Sequence, residues 1–158
     1  MKKIIIIGKG VGWELAPLEG ETWGVNDLCL RRPVKVIFNL HKDSADQFHK
    51  DINNFAEKTN TPLFRLCDFP LDKMHTDYFT NSIAMMIAYA VYIEVDQIDL
   101  YGCVLWGGSE YAFQKPNVEY WVGYARGKGV KVNIKGHTNL LRSETGMIYG
   151  YDLPQKEL

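Results

Sequence analysis

The sequence predicts an α/β protein: a doubly wound, mostly parallel sheet of about six strands flanked by helices, in one domain spanning residues 1–158. Short segments rich in Val and Ile alternate with helical segments, the order expected of parallel strands joined by crossovers. A glycine-rich turn, Gly8-Lys9-Gly10-Val11-Gly12, follows the first of them. One helical segment is apolar on most faces, as a helix buried against a sheet must be.

In chain order the strand segments are Lys3 to Ile7, Thr22 to Val25, Lys35 to Asn39, Leu63 to Leu66, Gln97 to Tyr101 and Val130 to Ile134. Helical periodicity covers Asp43 to Lys58, Asn81 to Glu94 and Asn117 to Gly127, and the middle one is the apolar segment. Asp43 or Ser44 is placed to cap the first helix, and Thr80, Asn81 or Ser82 the second, by accepting a backbone hydrogen bond in the first turn. Gly127 and Gly129 end the third and turn the chain into the last strand.

The 158 residues are 46% apolar, enough for a sizeable core and too many for a disordered chain. Basic and acidic side chains number 18 and 19, so the charge carries no footprint for nucleic acid. The opening Met1-Lys2-Lys3 and four isoleucines are shorter than the about 7–15 apolar residues of a signal peptide and read as a strand. Ile83 to Val95 is broken by Glu94 and falls short of the roughly 18 residues of a membrane helix. A cytoplasmic protein without a membrane partner is therefore expected. Cys29, Cys67 and Cys103 have no C-x-x-C spacing and read as three buried thiols, with neither disulfide nor zinc.

In an open parallel sheet ligands bind beyond the carboxyl ends of the strands. At those ends stand Gly8, Lys9 and Gly10, then Asn26 and Asp27, Asn39 and His41, and Gly102 with Cys103. The glycine turn is either a tight bend or a cradle whose N–H groups meet a phosphate, with Lys9 beside it either solvated or facing that phosphate. Trp13 occupies the position of the third glycine of a dinucleotide fingerprint, and no Walker lysine and hydroxyl follow. Asn26 and Asn39 suit a base edge or ribose hydroxyl, or simply a turn. Asp27 lies 15 residues beyond Gly12, which leaves a nicotinamide cofactor as an outside reading. Thr80, Asn81 and Ser82 open the buried helix, as caps or as an anion site. His41 and His137 follow strands, whereas His49 and His75 read as solvated, and no pair has metal-ligand spacing.

These residues resemble a known group. The G-x-G loop, Gly24-Val25-Asn26, Phe38-Asn39, the run Thr80 to Ala88 (T-N-S-I-A-x-x-I-A) and Ile98-Asp99-Leu100-Tyr101-Gly102 look like the bacterial CMP-sialic-acid sialyltransferases. They equally resemble archaeal 6-hydroxymethylpterin diphosphokinase-like proteins, and the Q-x-P-x-V-E-Y run from Gln114 to Tyr120 resembles small bacteriophage proteins. The likeness spans roughly residues 3–142 and implies a Rossmann-like nucleotide-binding domain. It implies nucleotide contacts from Gly8, Gly10, Asn26, Asn39, Thr80, Asn81 and Ser82, with Lys9 and Gly102 at the same edge. Ser109-Glu110-Tyr111-Ala112-Phe113 is similar to the stretch whose tyrosine approaches the donor phosphate, which makes Tyr111 the carried-over residue and Tyr120 a second.

Departures bear on catalysis. Where the family's catalytic histidine would fall stands Gln114-Lys115-Pro116, and neither glutamine nor lysine is a good general base at neutral pH, so His41 or His137 would have to serve. The acid that often follows strand five is replaced by Cys103-Val104, which weakens a metal-dependent diphosphokinase reading. The expected function is a protein that binds a nucleotide or nucleotide sugar, with no other tightly bound cofactor; if it is an enzyme, the expected chemistry is glycosyl, nucleotidyl or diphospho transfer. The alternatives are a non-catalytic binder and a structural scaffold. Aromatics such as Tyr149 and Tyr151 lean toward a homo-oligomer.

Overall fold

In the computed structural model, which describes residues 1–42, 44–150 and 153–156, four consecutive isoleucines form the centre of a six-stranded sheet. The strands are β1 (Lys3–Ile7), β2 (Thr22–Val25), β3 (Val36–Asn39), β4 (Leu63–Arg65), β5 (Gln97–Tyr101) and β6 (Lys131–Ile134). They lie in the order β4-β3-β2-β1-β5-β6 and every pairing is parallel. The chain walks outward from β1 to β4, then returns to build β5 and β6 on the other side. This is the doubly wound, Rossmann-like arrangement, and its direction reverses between β1 and β5.

Strand periodicity explains the layers. Ile4 and Ile6 point to one face and Ile5 and Ile7 to the other, and all four are at most 3% exposed. Burying each isoleucine contributes about 1.5–3 kcal/mol. The Ile4 and Ile6 face is covered by α2 (Ser82–Tyr92) and α3 (Gly108–Gly127), which supply Met86, Ile87, Val118, Trp121 and Val122. The opposite face is covered by α1 (Gln47–Thr59), through Ile52 and Ala56, and by short 3-10 turns at Trp13–Leu15 and Asn26–Leu30. No α-helix joins β1 to β2 or β2 to β3.

Four features differ from expectation. Helix α3 begins at Gly108 rather than Asn117, because Pro116 sits inside it instead of before it. Proline has no N–H to donate to the Ala112 carbonyl one turn back, and the next carbonyls, of Phe113 and Gln114, accept from the side chains of Thr80 and Asn81, which ties this turn of α3 to the start of α2. Helix α1 is capped by Asp46, whose carboxylate accepts from the His49 N–H at 2.9 Å. Ser44 donates to that same carboxylate, and Asp43 lies outside the described residues. The bonds from the Ser44 hydroxyl, the His49 N–H and the His49 ring hold the Asp46 carboxyl well below the usual range. His49 is buried on the inner face of α1 rather than solvated, since it falls one turn before Ile52. Cys67 is exposed, so only Cys29 and Cys103 are core thiols.

On the face of β5 opposite α3, the buried carboxylate of Asp99 accepts from Lys3 at 2.7 Å, Gln97 at 2.8 Å and Asn133 at 2.6 Å. Burial pushes this carboxyl upward, but the three donors outweigh it and hold it below the ordinary aspartate value.

Candidate functional site

A cavity of about 630 Å³ opens at the carboxyl edge of the sheet, where β1, β2 and β5 end and α2 and α3 begin. This is the switch point of the strand order, and the volume falls within the about 300–1,000 Å³ of small-molecule sites. Its wall takes Gly8, Lys9 and Gly10 after β1, Asn26 after β2 and His41 beyond β3. Thr80, Asn81 and Ser82 come from the start of α2, Gly102 and Cys103 from beyond β5, and Glu110, Tyr111 and Gln114 from the first turns of α3.

The glycines are explained by close approach of two loops. A Cβ on Gly8 would lie 2.5 Å from the Gly102 carbonyl oxygen, and one on Gly10 would lie 2.8 Å from it. Gly102, at φ 61°, meets the Gly8 carbonyl in return. The Gly8 N–H donates to the Tyr101 carbonyl and the Gly10 N–H to the Gly102 carbonyl, each at 2.8 Å. Those two donors are therefore spent on joining the β1 and β5 loops rather than offered to a phosphate. The three-residue 3-10 turn at Trp13–Leu15 is also too short to supply the helix start that the dinucleotide fold uses.

Asn26 takes a left-handed conformation, φ 49°, and is 9% exposed. Its Nδ2 lies 3.1 Å from His41 Nε2, and its Oδ1 is buried without a partner. Donation by this amide makes Nε2 the acceptor and leaves the ring proton on Nδ1. Asn39 follows the last β2–β3 pairing, Val25 with Phe38, and so lies beside Asn26. It is fully buried, outside the cavity wall, and neither polar atom of its side chain has a partner.

The Thr80-Asn81-Ser82 run fastens α2 to α3. The Thr80 hydroxyl donates to the Phe113 carbonyl at 3.0 Å, and the Thr80 N–H to Asn117 Oδ1 at 2.8 Å. Asn81 caps α2 by accepting from the Ala84 N–H at 2.9 Å while its Nδ2 donates to the Gln114 carbonyl at 3.0 Å. The starts of two α-helices thus converge on the cavity, and their N–H groups and dipoles favour an anion. Helix α3 has no side-chain cap.

Lys9 donates to Asp27 Oδ1 at 2.7 Å, so Asp27 is engaged at the loop rather than free for a ribose. Burial pushes the Cys103 thiol up to about 12, which makes it an inert part of the wall. His137 is exposed beyond β6 and is not part of the wall; Tyr120 stands with His75, their polar atoms 2.8 Å apart, away from it. Tyr149 is 86% exposed, and Tyr151 lies outside the described residues. Sequence reasoning weighed Gln114 only as a poor general base and gave Glu110 no place in the wall, because the helix was expected to start at Asn117. Their i, i+4 spacing, which lets Gln114 donate to Glu110, was the available signal. Among the described residues no cluster of His, Cys, Asp and Glu fits a metal ion, and no helix is long and apolar enough to cross a membrane.

No family model matches the sequence, and no curated protein does. Among solved structures, sialyltransferase CstII from Campylobacter jejuni, in complex with the substrate analogue CMP-3FNeuAc, aligns at 16% identity and a TM-score of 0.43, over 85% of this chain and 80% of that one. The monofunctional alpha-2,3-sialyltransferase Cst-I from the same organism aligns at 14% identity and a TM-score of 0.43, over 98% of this chain and 81% of its own. At these values the likeness bears on neither ligand nor activity.

Proposed function

We propose that the chain binds a nucleotide or nucleotide sugar in the cavity at the carboxyl edge of the sheet. One observation supports this above the others: two helix starts converge on a cavity whose wall also holds the buried, unpartnered Oδ1 of Asn26. Anion-binding ends and an unspent polar atom in one wall suit a ligand with a phosphate and a hydrogen-bonding base or sugar. The N–H groups of the first turns of α2 and α3 meet the phosphate, and Asn26 accepts from the rest of the ligand. In glycosyl transfer, Tyr111 would stabilise the departing phosphate and His41 would take the acceptor proton, since both lie in the wall.

Binding without turnover is the second reading. It is favoured by the engagement of the wall's own acid and base: Asn26 occupies His41 Nε2 and Gln114 donates to Glu110. A cytoplasmic homo-oligomer belongs to the same proposal, with Trp106 and Phe113, 62% and 68% exposed, as the apolar surface for a second copy.

A thermal-shift panel of nucleoside mono-, di- and triphosphates and nucleotide sugars tests binding, with native mass spectrometry for assembly. A ligand at a hundred times its Kd stabilises the protein by about 2.7 kcal/mol. A selective shift with release of free nucleotide from a nucleotide sugar supports transfer, and a shift without release supports the binder. No shift with any member rejects both.

A further inference from the structure

Lys9 carries the full positive charge of the cavity wall among the described residues, and that charge is already taken. Its Nζ donates to Asp27 Oδ1 at 2.7 Å, while the other oxygen of Asp27 lies 3.8 Å from Arg31 Nη2. Lys9 belongs to the wall and Asp27 does not. The Lys9 backbone is fixed between Gly8 and Gly10, whose N–H groups are bound to the β5 loop. The ammonium, by contrast, ends a flexible four-carbon stem. Asp27 sits in the 3-10 turn Asn26–Leu30, one turn before Arg31, so its carboxylate keeps a cation when Lys9 leaves.

We propose that Asp27 is an internal competitor: the phosphate of an incoming ligand takes Lys9 from Asp27, and Arg31 receives the released carboxylate. This rests on the cavity being a nucleotide site. In the empty protein Asp27 neutralises Lys9; in the complex the two helix starts and Lys9 converge on the same anion, and the Asp27–Arg31 pair closes behind it. Asp27 thereby lowers the affinity for any anion and makes the site selective for ligands that carry enough charge to win Lys9.

The test is calorimetry of the full chain with cytidine 5′-monophosphate and with inorganic pyrophosphate, at low and high salt. Removing a partly exposed ion pair of this kind is worth about a two- to fivefold change in affinity. Asp27→Asn is expected to bind both probes about two- to fivefold more tightly, and the gain shrinks at high salt. Lys9→Met cancels the gain, so Lys9→Met and the Lys9→Met/Asp27→Asn double variant bind alike. Arg31→Ala weakens binding, because Asp27 then has Lys9 alone. A merely structural Asp27 gives the opposite sign, with affinity and melting temperature falling together. Asp27→Asn binding that is unchanged or weaker, while the wild type binds, overturns the competitor and leaves the cavity assignment standing. Absence of binding by the wild type and every variant overturns both.

Discussion

Replacing Asn39 with valine is expected to make the protein more stable. Asn39 ends β3, is fully buried, and has neither its Oδ1 nor its Nδ2 hydrogen-bonded. Each buried polar group left unpaired costs about 1–3 kcal/mol. Valine removes both and favours a strand backbone, and its slightly larger bulk returns about 1 kcal/mol as strain. At the low end of that range, about 1–1.5 kcal/mol per group, the net expectation is a gain of about 1–2 kcal/mol. For a chain of 158 residues that raises the melting temperature by about 2–8 °C, at about 2–4 °C per kcal/mol. Urea unfolding checks it, with an unchanged slope showing that the shift in midpoint is stability alone. The nucleotide-induced shift is expected to persist, because Asn39 is outside the cavity wall. A loss of about 1 kcal/mol or more would show that the amide is paired in the folded protein and refute the reasoning.

Two further substitutions test the framework of the site. Gly8→Ala places a Cβ 2.5 Å from the Gly102 carbonyl oxygen, so the β1 and β5 loops must part; a loss of at least about 2 kcal/mol in chemical unfolding is expected. Asp99→Asn sets an amide donor among the donors Lys3, Gln97 and Asn133 and is expected to cost about 3 kcal/mol at pH 7. The Asp99 carboxyl is held low in the folded state, so its stabilisation is complete above the unfolded value near 4 and is lost as pH falls through the lower folded value. Urea midpoints of wild type and Asp99→Asn should therefore converge below about pH 4; a gap that stays constant would show that the charge of Asp99 is not what stabilises.

The sheet was legible because its strands are short apolar runs set between polar segments: β1, β2 and β5 have the bounds that the residues suggest. The start of α3 was not. A proline usually marks a boundary, yet α3 runs through Pro116, its turn there tied to the start of α2 by Thr80 and Asn81 on the carbonyls of Phe113 and Gln114. Part of the cavity wall was legible from the rule that ligands meet strand ends, which selects Gly8, Lys9, Asn26 and His41 without knowledge of contacts. The same rule selects Asn39 and His137, which are outside the wall, since position at a strand end does not say which way a side chain leaves the backbone. The burial of His49 was hidden by its polar neighbours, although it stands three residues before Ile52 on one helical face.

The hydrogen bonds of Thr80 and Asn81 change how substitutions at this site are to be interpreted. The resemblance assigns both residues to a ligand, yet the Thr80 hydroxyl and both ends of the Asn81 amide are used within the protein. Their partners are the carbonyls of Phe113 and Gln114 beside Pro116 and the first turn of α2, so what they fix is the spacing and angle of two helix starts. In the proposed complex, the contact that the start of α2 makes with an anion then falls to its backbone N–H groups, beside Lys9, and alanine at Thr80 or Asn81 does not remove them. Alanine at Thr80 or Asn81 is therefore expected to lower stability and ligand affinity together, by loosening α2 from α3. Asn26→Gly instead keeps the left-handed backbone, φ 49°, and removes a polar atom from the wall without touching that lacing. A protein that loses affinity at Asn26 without losing stability, and loses both at Asn81, would have its recognition and its scaffold on separate residues of the same wall.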